Sequence, residues 1–376
     1  MTVVRPVAFY APLKSPNHPL PSGDRTMARL LMKAFGRAGF APQLASELRT
    51  LDKTGDRQRQ EGLRQESIAE ASRLIAHYEG LPDEQRPCLW FTYHVYYKAP
   101  DWIGPYVADA LGIPYVVAEG SRAAKRAGGP WALGHEGAEA ALDRADAILV
   151  MTAYDREALE AGRPQHQALI DFPPFIDVQD WPGSSARSDD EAEPRLLTVA
   201  MMREGDKLAS YRILAAALDN LRHLPWTLDV VGDGEARHEV ERLFAPVAPR
   251  VRFHGRIDSK ADLKALYEAA DLFVWPAVNE AYGMVLLEAQ AFGCAVVAGA
   301  YGGVASVVKH QETGLLTAPG DGAAFADAVG HLLQDREKRY RLGLAASRFV
   351  RQERDLDRAA ERLRLALRPL TDGVRS

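Results

Sequence analysis

Two glutamates, Glu280 and Glu288, bracket a glycine, Gly283, within the stretch 279–298, NEAYGMVLLEAQAFGCAVVA. Carboxylates are good acceptors for paired hydroxyls. A helix opened by glycine lets a ligand approach its first N–H groups, where the helix dipole favours an anion such as a phosphate. Glu280 falls in the loop before that helix, Gly283 opens it, and Glu288 lies inside it. Gly293 ends the helix, and a buried strand at 294–298 follows. Met284, Leu287 and Ala291 recur at helical spacing, so that side packs against a sheet. These residue types in this order describe a site for phosphate plus polyol.

The elements that must position such a site alternate regularly. Strands are expected at 3–10, 40–45, 88–93, 114–118, 147–151 and 168–171, separated by helices at 23–38, 57–78, 101–111 and 133–143. Ser22 or Asp24 caps the first helix, whose apolar stripe is Met27, Leu30, Leu31, Ala34 and Phe35. The second turns Leu63, Ile68, Ala71, Leu74 and Ile75 inward. The stretch 183–194, GSSARSDDEAEP, holds no apolar residue larger than alanine and reads as a linker. Beyond it the alternation repeats, with strands at 195–200, 226–231, 251–254 and 272–275. The Arg- and Glu-rich C-terminal helices are expected to face solvent. Strand–helix alternation of this kind implies mostly parallel, doubly wound sheets. Ligands of open α/β sheets gather at the carboxyl ends of strands. His94, Glu119, Arg203, Lys207, Gly232 and Glu280 all occupy such ends.

Composition narrows the class. A chain of 376 residues favours two domains. Hydrophobic content of 47% and charged content of 26% are those of an ordinary soluble protein. A net charge of -5 argues against a nucleic-acid binder. Cys88 and Cys294 both fall in apolar runs and read as buried thiols in a reducing compartment. The start, MTVVRPVAFYAP, lacks the pattern of a signal peptide, and no apolar run is long enough to span a bilayer. A cytoplasmic location is expected. No His, Cys and Asp cluster has metal-ligand spacing, so no metal is expected.

Several segments, taken in order, resemble the nucleotide-sugar domain of family 4 glycosyltransferases. They are LTVAMMREGDK (197–207), VVGDGE (230–235), VRFHG (251–255), DLFVWPA (271–277), the stretch 279–298 with Glu280 and Glu288 as a Glu-x7-Glu signature, Gly302-Gly303, and ETGLL (312–316). The first half is similar more loosely, in RADAILVMTAYDREAL (144–159) and PPFIDVQDW (173–181). The resemblance implies a GT-B fold: two Rossmann-like domains facing across a cleft. Its parts would be an acceptor domain at 1–182, the linker at 183–194, a nucleotide-sugar domain at 195–350, and a C-terminal helical segment, 351–376, able to pack back on the first domain.

It further implies a retaining transfer from a nucleotide-diphosphate sugar to a hydroxyl acceptor, with no bound cofactor. Arg203 and Lys207 would clamp the diphosphate, a role that can replace a divalent cation. Leu208 departs from the pattern, which usually has glycine there. Glu280 would hold donor-sugar hydroxyls, and Glu288 would accept from the ribose. Gly283, Met284 and Val285 would give backbone donors to the phosphates, with Gly232 and Gly23 nearby. His94 would stand beside the acceptor hydroxyl or donor sugar. Glu119 and Ser121 would lie on the acceptor side, and the basic cluster SRAAKR could meet a charged acceptor. The acceptor is open among saccharide, glycolipid and metabolite, and weak peripheral association with an inner membrane stays open too. A sugar-nucleotide epimerase or phosphorylase of the same fold, or a sugar-binding protein without chemistry, are the alternatives.

Overall fold

The computed structural model describes residues 5–20, 22–181 and 193–372. Apart from its last two residues, the polar stretch expected as the linker lies outside them. The chain divides into two compact units, Met1–Pro173 with Leu356–Ser376, and Pro174–Asp355.

The first unit runs β1 (Arg5–Tyr10), α1 (Gly23–Arg37), β2 (Phe40–Ser46), α2 (Arg57–Glu79), β3 (Trp90–Val95), α3 (Gly104–Leu111), β4 (Tyr115–Gly120), α4 (Ala132–Arg144), β5 (Ala147–Val150), α5 (Ala153–Ala161) and β6 (Ala168–Asp171). Its strands pair in parallel in the order β2-β1-β3-β4-β5-β6. The inner strands β1, β3, β4 and β5 are largely buried, as helix-covered parallel strands must be, while the edge strands β2 and β6 are not: Phe9 stacks on Phe91 at 5.4 Å, and Phe35 meets Phe91 edge-on at 4.8 Å. Ser22 caps α1 by accepting from the Arg25 N–H at 3.3 Å.

The second unit runs β7 (Arg195–Val199), α6 (Asp206–Asn220), β8 (Thr227–Val231), α7 (Arg237–Leu243), β9 (Val251–Gly255), α8 (Lys260–Ala269), β10 (Leu272–Trp275), α9 (Met284–Ala291), β11 (Ala295–Gly299), β12 (Gly314–Thr317), α10 (Gly322–Gln334) and α11 (Arg336–Glu353). The order is β12-β11-β10-β7-β8-β9, again parallel. A last helix, α12 (Leu356–Thr371), belongs to the first unit and packs on α1, with Arg37 reaching Asp357 at 3.7 Å.

The two orders locate the ligand-binding edges. Strand order reverses direction between β1 and β3 in one sheet and between β7 and β10 in the other. Crevices open at the carboxyl ends of strands flanking such a reversal. His94 lies one residue before the end of β3, the loop bearing Arg203 follows β7, and the loop bearing Glu280 follows β10.

Three expectations are corrected. On α2 the expected inward residues Ala71 and Leu74 are buried and Leu63 and Ile75 half-buried, but Ile68 is exposed, and Gln60, Ser67 and Tyr78 complete the buried face. Polar residues face inward there because they have bonds to make: Gln60 Nε2 donates to Asp52 Oδ2 at 2.9 Å and to the Pro130 carbonyl at 2.8 Å. The C-terminal helices do not simply face solvent. In α12, Leu356, Ala359, Ala360, Leu363 and Leu367 form a buried stripe hidden among arginines. Cys294 is buried as expected, but Cys88 is only half-buried, lying before β3 rather than inside it.

Candidate active site

In the second unit the site is built mainly by backbone. Gly232 has φ +145°, and a Cβ placed there would sit 1.8 Å from the Ala200 carbonyl oxygen; at Gly234 the same atom would sit 2.2 Å from that of Met202. The Gly232-Asp233-Gly234 turn therefore lies flat against the loop leaving β7. Bonds from the Met202 N–H to Asp233 and from the Ala236 N–H to Met202, both 3.0 Å, fix the two together. Gly232 thus shapes the loop that presents Arg203. Arg203 is exposed and has no carboxylate partner among the described residues. Leu208, where the resembled pattern has glycine, is buried, and its N–H bonds to the Arg203 carbonyl at 3.0 Å.

The Glu280 loop is held as firmly. Ala277 and Asn279 adopt φ of 57° and 48°, a conformation that costs non-glycine residues energy and persists only where neighbours enforce it. The neighbours are visible. The Val278 N–H donates to Ser210 Oγ at 3.0 Å, and Asn279 Nδ2 donates to Asp206 Oδ1 at 2.9 Å. The Gly303 N–H bonds to the Ala281 carbonyl at 2.6 Å, and Gly302 leaves no room for a Cβ against the Glu280 carbonyl.

Held this way, Glu280 Oε2 forms an ion pair with Lys207 Nζ. The indole N–H of Trp275 points to the same oxygen at 3.4 Å, and Lys207 Nζ lies 5.5 Å from the Trp275 ring centroid. Gly283, with φ +75°, caps α9 in the left-handed region. The first bond of the turn runs from the Leu286 N–H to the Gly283 carbonyl at 3.0 Å, so the N–H groups of Gly283, Met284 and Val285 precede the helix's own ladder. Far from showing a single stripe, α9 is buried nearly all round.

Glu288 departs from that apolar surface. Burial raises its carboxyl to about 7, against the smaller pull of the Tyr267 hydroxyl, which donates to Oε2 at 3.0 Å, and of Lys260. Tyr267 is itself locked by parallel stacking on Phe292 at 5.6 Å.

The first unit holds a second cluster, built by charge. His94 and Glu119 are the penultimate residues of the adjacent strands β3 and β4, with φ of 66° and 58°, again strained for their residue types. His94 Nδ1 lies 3.2 Å from Asp24 Oδ1 and 3.5 Å from Glu119 Oε1. Burial disfavours a charged imidazole, yet Glu119 and then Asp24 outweigh it and hold His94 up to about 9. For Glu119 burial wins over the His94 charge, and its carboxyl is raised. Asp24 is lowered despite burial, by its bond to His94. His94 is therefore an imidazolium at neutral pH, suited to donating a proton or meeting negative charge rather than to accepting a proton. Ser121 is engaged elsewhere, donating to Asp155 Oδ1, whose other oxygen accepts from Thr152 at 2.6 Å. Gly23 opens α1 beside Asp24. A Cβ there would meet nothing within 4 Å, so packing does not demand the glycine.

The expected residues thus fall into two groups, His94, Glu119 and Gly23 in one unit, and Arg203, Lys207, Glu280, Gly283 and Glu288 in the other. Asp24, Trp275 and Tyr267 join these groups through contacts that the sequence does not mark. From sequence Asp24 reads only as a cap, though its place just after the β1–α1 turn is a usable signal. Among the described residues, no three His, Cys, Asp or Glu side chains gather as a metal site, and no helix is long and apolar enough to cross a membrane.

With this geometry in view, residues 193–335 match the family described as "Glycosyl transferases group 1". A D-inositol 3-phosphate glycosyltransferase of Salinispora tropica is 46% identical over 90 residues, covering 24% of this chain and 19% of the relative. The matches span from 19% to 51% of the curated relatives' lengths. Among solved structures, sucrose-phosphate synthase from Thermosynechococcus elongatus has a TM-score of 0.74 at 20% identity, covering 97% of this chain and 99% of its own. Anabaena HepE in complex with UDP has a TM-score of 0.71 at 17% identity, covering 98% and 100%. Likeness at these identities establishes the fold, a pair of Rossmann-like α/β units of the GT-B kind.

Proposed function

We propose that this chain, whose residues 193–335 carry the group 1 glycosyltransferase domain, transfers a sugar from a nucleotide-diphosphate sugar to a hydroxyl acceptor with retention at the anomeric carbon. The observation that carries the reading is Lys207 and Glu280 held together at the strand-order reversal of the second sheet, on a loop that leads into the N-terminus of α9. A cation, a carboxylate and backbone N–H groups converge there, the set that a sugar diphosphate needs.

In this reading Arg203, Lys207 and the N–H groups of Gly283, Met284 and Val285 take the diphosphate. They stabilise the charge that grows on the leaving group as the anomeric C–O bond breaks. No metal is required for that role. The diphosphate draws Lys207 from Glu280, whose freed oxygen accepts donor-sugar hydroxyls while the Trp275 indole holds its orientation. Glu288, fixed by Tyr267, accepts from the ribose. His94, charged and flanked by Asp24 and Glu119, is assigned to the acceptor hydroxyl or the donor sugar. The UDP named with HepE makes UDP the first donor nucleotide to try.

The test is calorimetric titration with UDP, GDP and ADP sugars, followed by nucleotide-release assays. Lys207→Ala should lower turnover by about 100-fold, the scale of one lost transition-state donor, and Glu288→Ala should weaken nucleotide binding by more than about tenfold. Near-wild-type behaviour of both variants would sink the assignment.

A further inference from the structure

The first unit carries a second cationic feature that the proposed chemistry leaves unused. Tyr97 and Trp131 meet edge to face at 5.9 Å. Lys98 Nζ lies 5.6 Å from the Tyr97 centroid and 5.4 Å from that of Trp131. The Arg126 guanidinium lies 5.2 and 5.1 Å from the same two centroids. Two like charges thus share one pair of rings, and neither has a carboxylate partner among the described residues. Arg122, four residues before Arg126, behaves differently: it pairs with Glu139 and, at 2.6 Å, with Asp143.

Two donors of this cluster are unsatisfied. Arg126 Nε and Trp131 Nε1 are buried with no hydrogen-bond acceptor. Buried N–H groups without acceptors are rare because desolvation is then uncompensated. Arg126 Nε and Trp131 Nε1 can only donate, so a group that completes them is an acceptor, and the two positive charges favour an anion.

The platform beneath is built, not incidental. Gln60, itself buried, donates to the Pro130 carbonyl at 2.8 Å and accepts from the Gly134 N–H at 3.0 Å, fixing both sides of Trp131. Gly55, at φ +75°, backs the Trp131 ring, where a Cβ would come within 3.3 Å. Gly134 likewise has no space for a Cβ against the Tyr97 carbonyl, at 2.2 Å. Ring contacts also lead back to the charged histidine: His94 to Tyr96 at 5.0 Å and Tyr96 to Tyr97 at 5.5 Å.

We infer that Lys98, Arg126 and the Trp131 indole form an oxyanion site for a phosphate group borne by the acceptor, a few ring widths from the hydroxyl that reacts at His94. The acceptor assignment rests on the glycosyltransferase reading; the anion site does not.

The experiment titrates the intact protein with inorganic phosphate at fixed ionic strength, with and without saturating UDP, and uses acetate as the singly charged control. Wild type should bind phosphate with UDP present and more tightly than acetate. Lys98→Met combined with Arg126→Gln should weaken phosphate binding at least tenfold, and Trp131→Phe several-fold. UDP affinity and melting temperature should stay within error for both variants. Phosphate affinity unchanged in the double variant, or a wild-type preference for acetate, would overturn the site. Failure of wild type to bind any nucleotide, with the phosphate response intact, would instead remove the donor reading and leave this site standing.

Discussion

The two clusters differ in what holds them. In the second unit the chain positions charges through backbone: close-packed Gly232, Gly234 and Gly302, strained Ala277 and Asn279, and bonds that the Glu280 loop donates to α6. Its side chains then carry opposite charges, Lys207 on Glu280, with Arg203 unopposed. In the first unit side-chain charge does the positioning, because Asp24 and Glu119 both address one nitrogen of His94. The lesson is a division of labour. A backbone-built site keeps its shape while exchanging one anion for another, whereas a charge-built site keeps a proton.

The sharpest way to break this contrast is Gly232→Ala. With a Cβ 1.8 Å from a backbone oxygen and φ +145°, the loop must move. The substitution should cost about 3 kcal/mol of stability, from strain plus steric displacement. It should also abolish most nucleotide binding. Urea unfolding and UDP titration read both; unchanged stability would refute a backbone-built site.

Next in size is Asp24→Asn. Removing one of the carboxylates that hold His94 at about 9 lowers its pKa, by about one unit for a loss near 1.4 kcal/mol. The alkaline limb of turnover should move to lower pH, cutting activity about tenfold at the top of the range while UDP affinity holds. Stability should follow the same group. A histidine raised above its unfolded value stabilises fully below about 6.5. That contribution fades as pH rises through about 9. A pH profile identical to wild type would mean that Asp24 does not tune His94.

The smallest effect concerns Glu288. With its carboxyl raised to about 7, the ionised form proposed to accept ribose hydroxyls gains population as pH rises through neutrality. UDP should therefore bind a few-fold more tightly at pH 8 than at pH 6. Tyr267→Phe should keep the direction of that change, and Glu288→Gln should flatten it. A pH-independent wild type would detach Glu288 from nucleotide binding.

Much of this could be read before folding was considered. Alternating strands and helices, the Glu280–Gly283–Glu288 spacing and the strand-end position of Arg203 and Lys207 are local properties, set by periodicity and by the residue types that terminate elements. On α2 apolar periodicity marks Ala71 and Leu74 but not the buried Gln60 and Ser67, whose polar side chains it cannot register. The α12 stripe was similarly masked by its arginines.

What sequence alone determined was therefore the inventory of elements and the chemistry at their ends. Tertiary structure decided which ends meet. Strand order, and with it each sheet's reversal point, depends on pairing between segments distant in the chain. The pairing of Asp24 with His94 spans 70 residues, and that of Lys207 with Glu280 spans 73. Left-handed backbone at His94, Glu119, Ala277 and Asn279 arises only because packing outweighs the preference of those residues. Long-range contacts of this sort leave no periodic trace along the chain, yet they set the charge of His94 and bring Lys207 to Glu280.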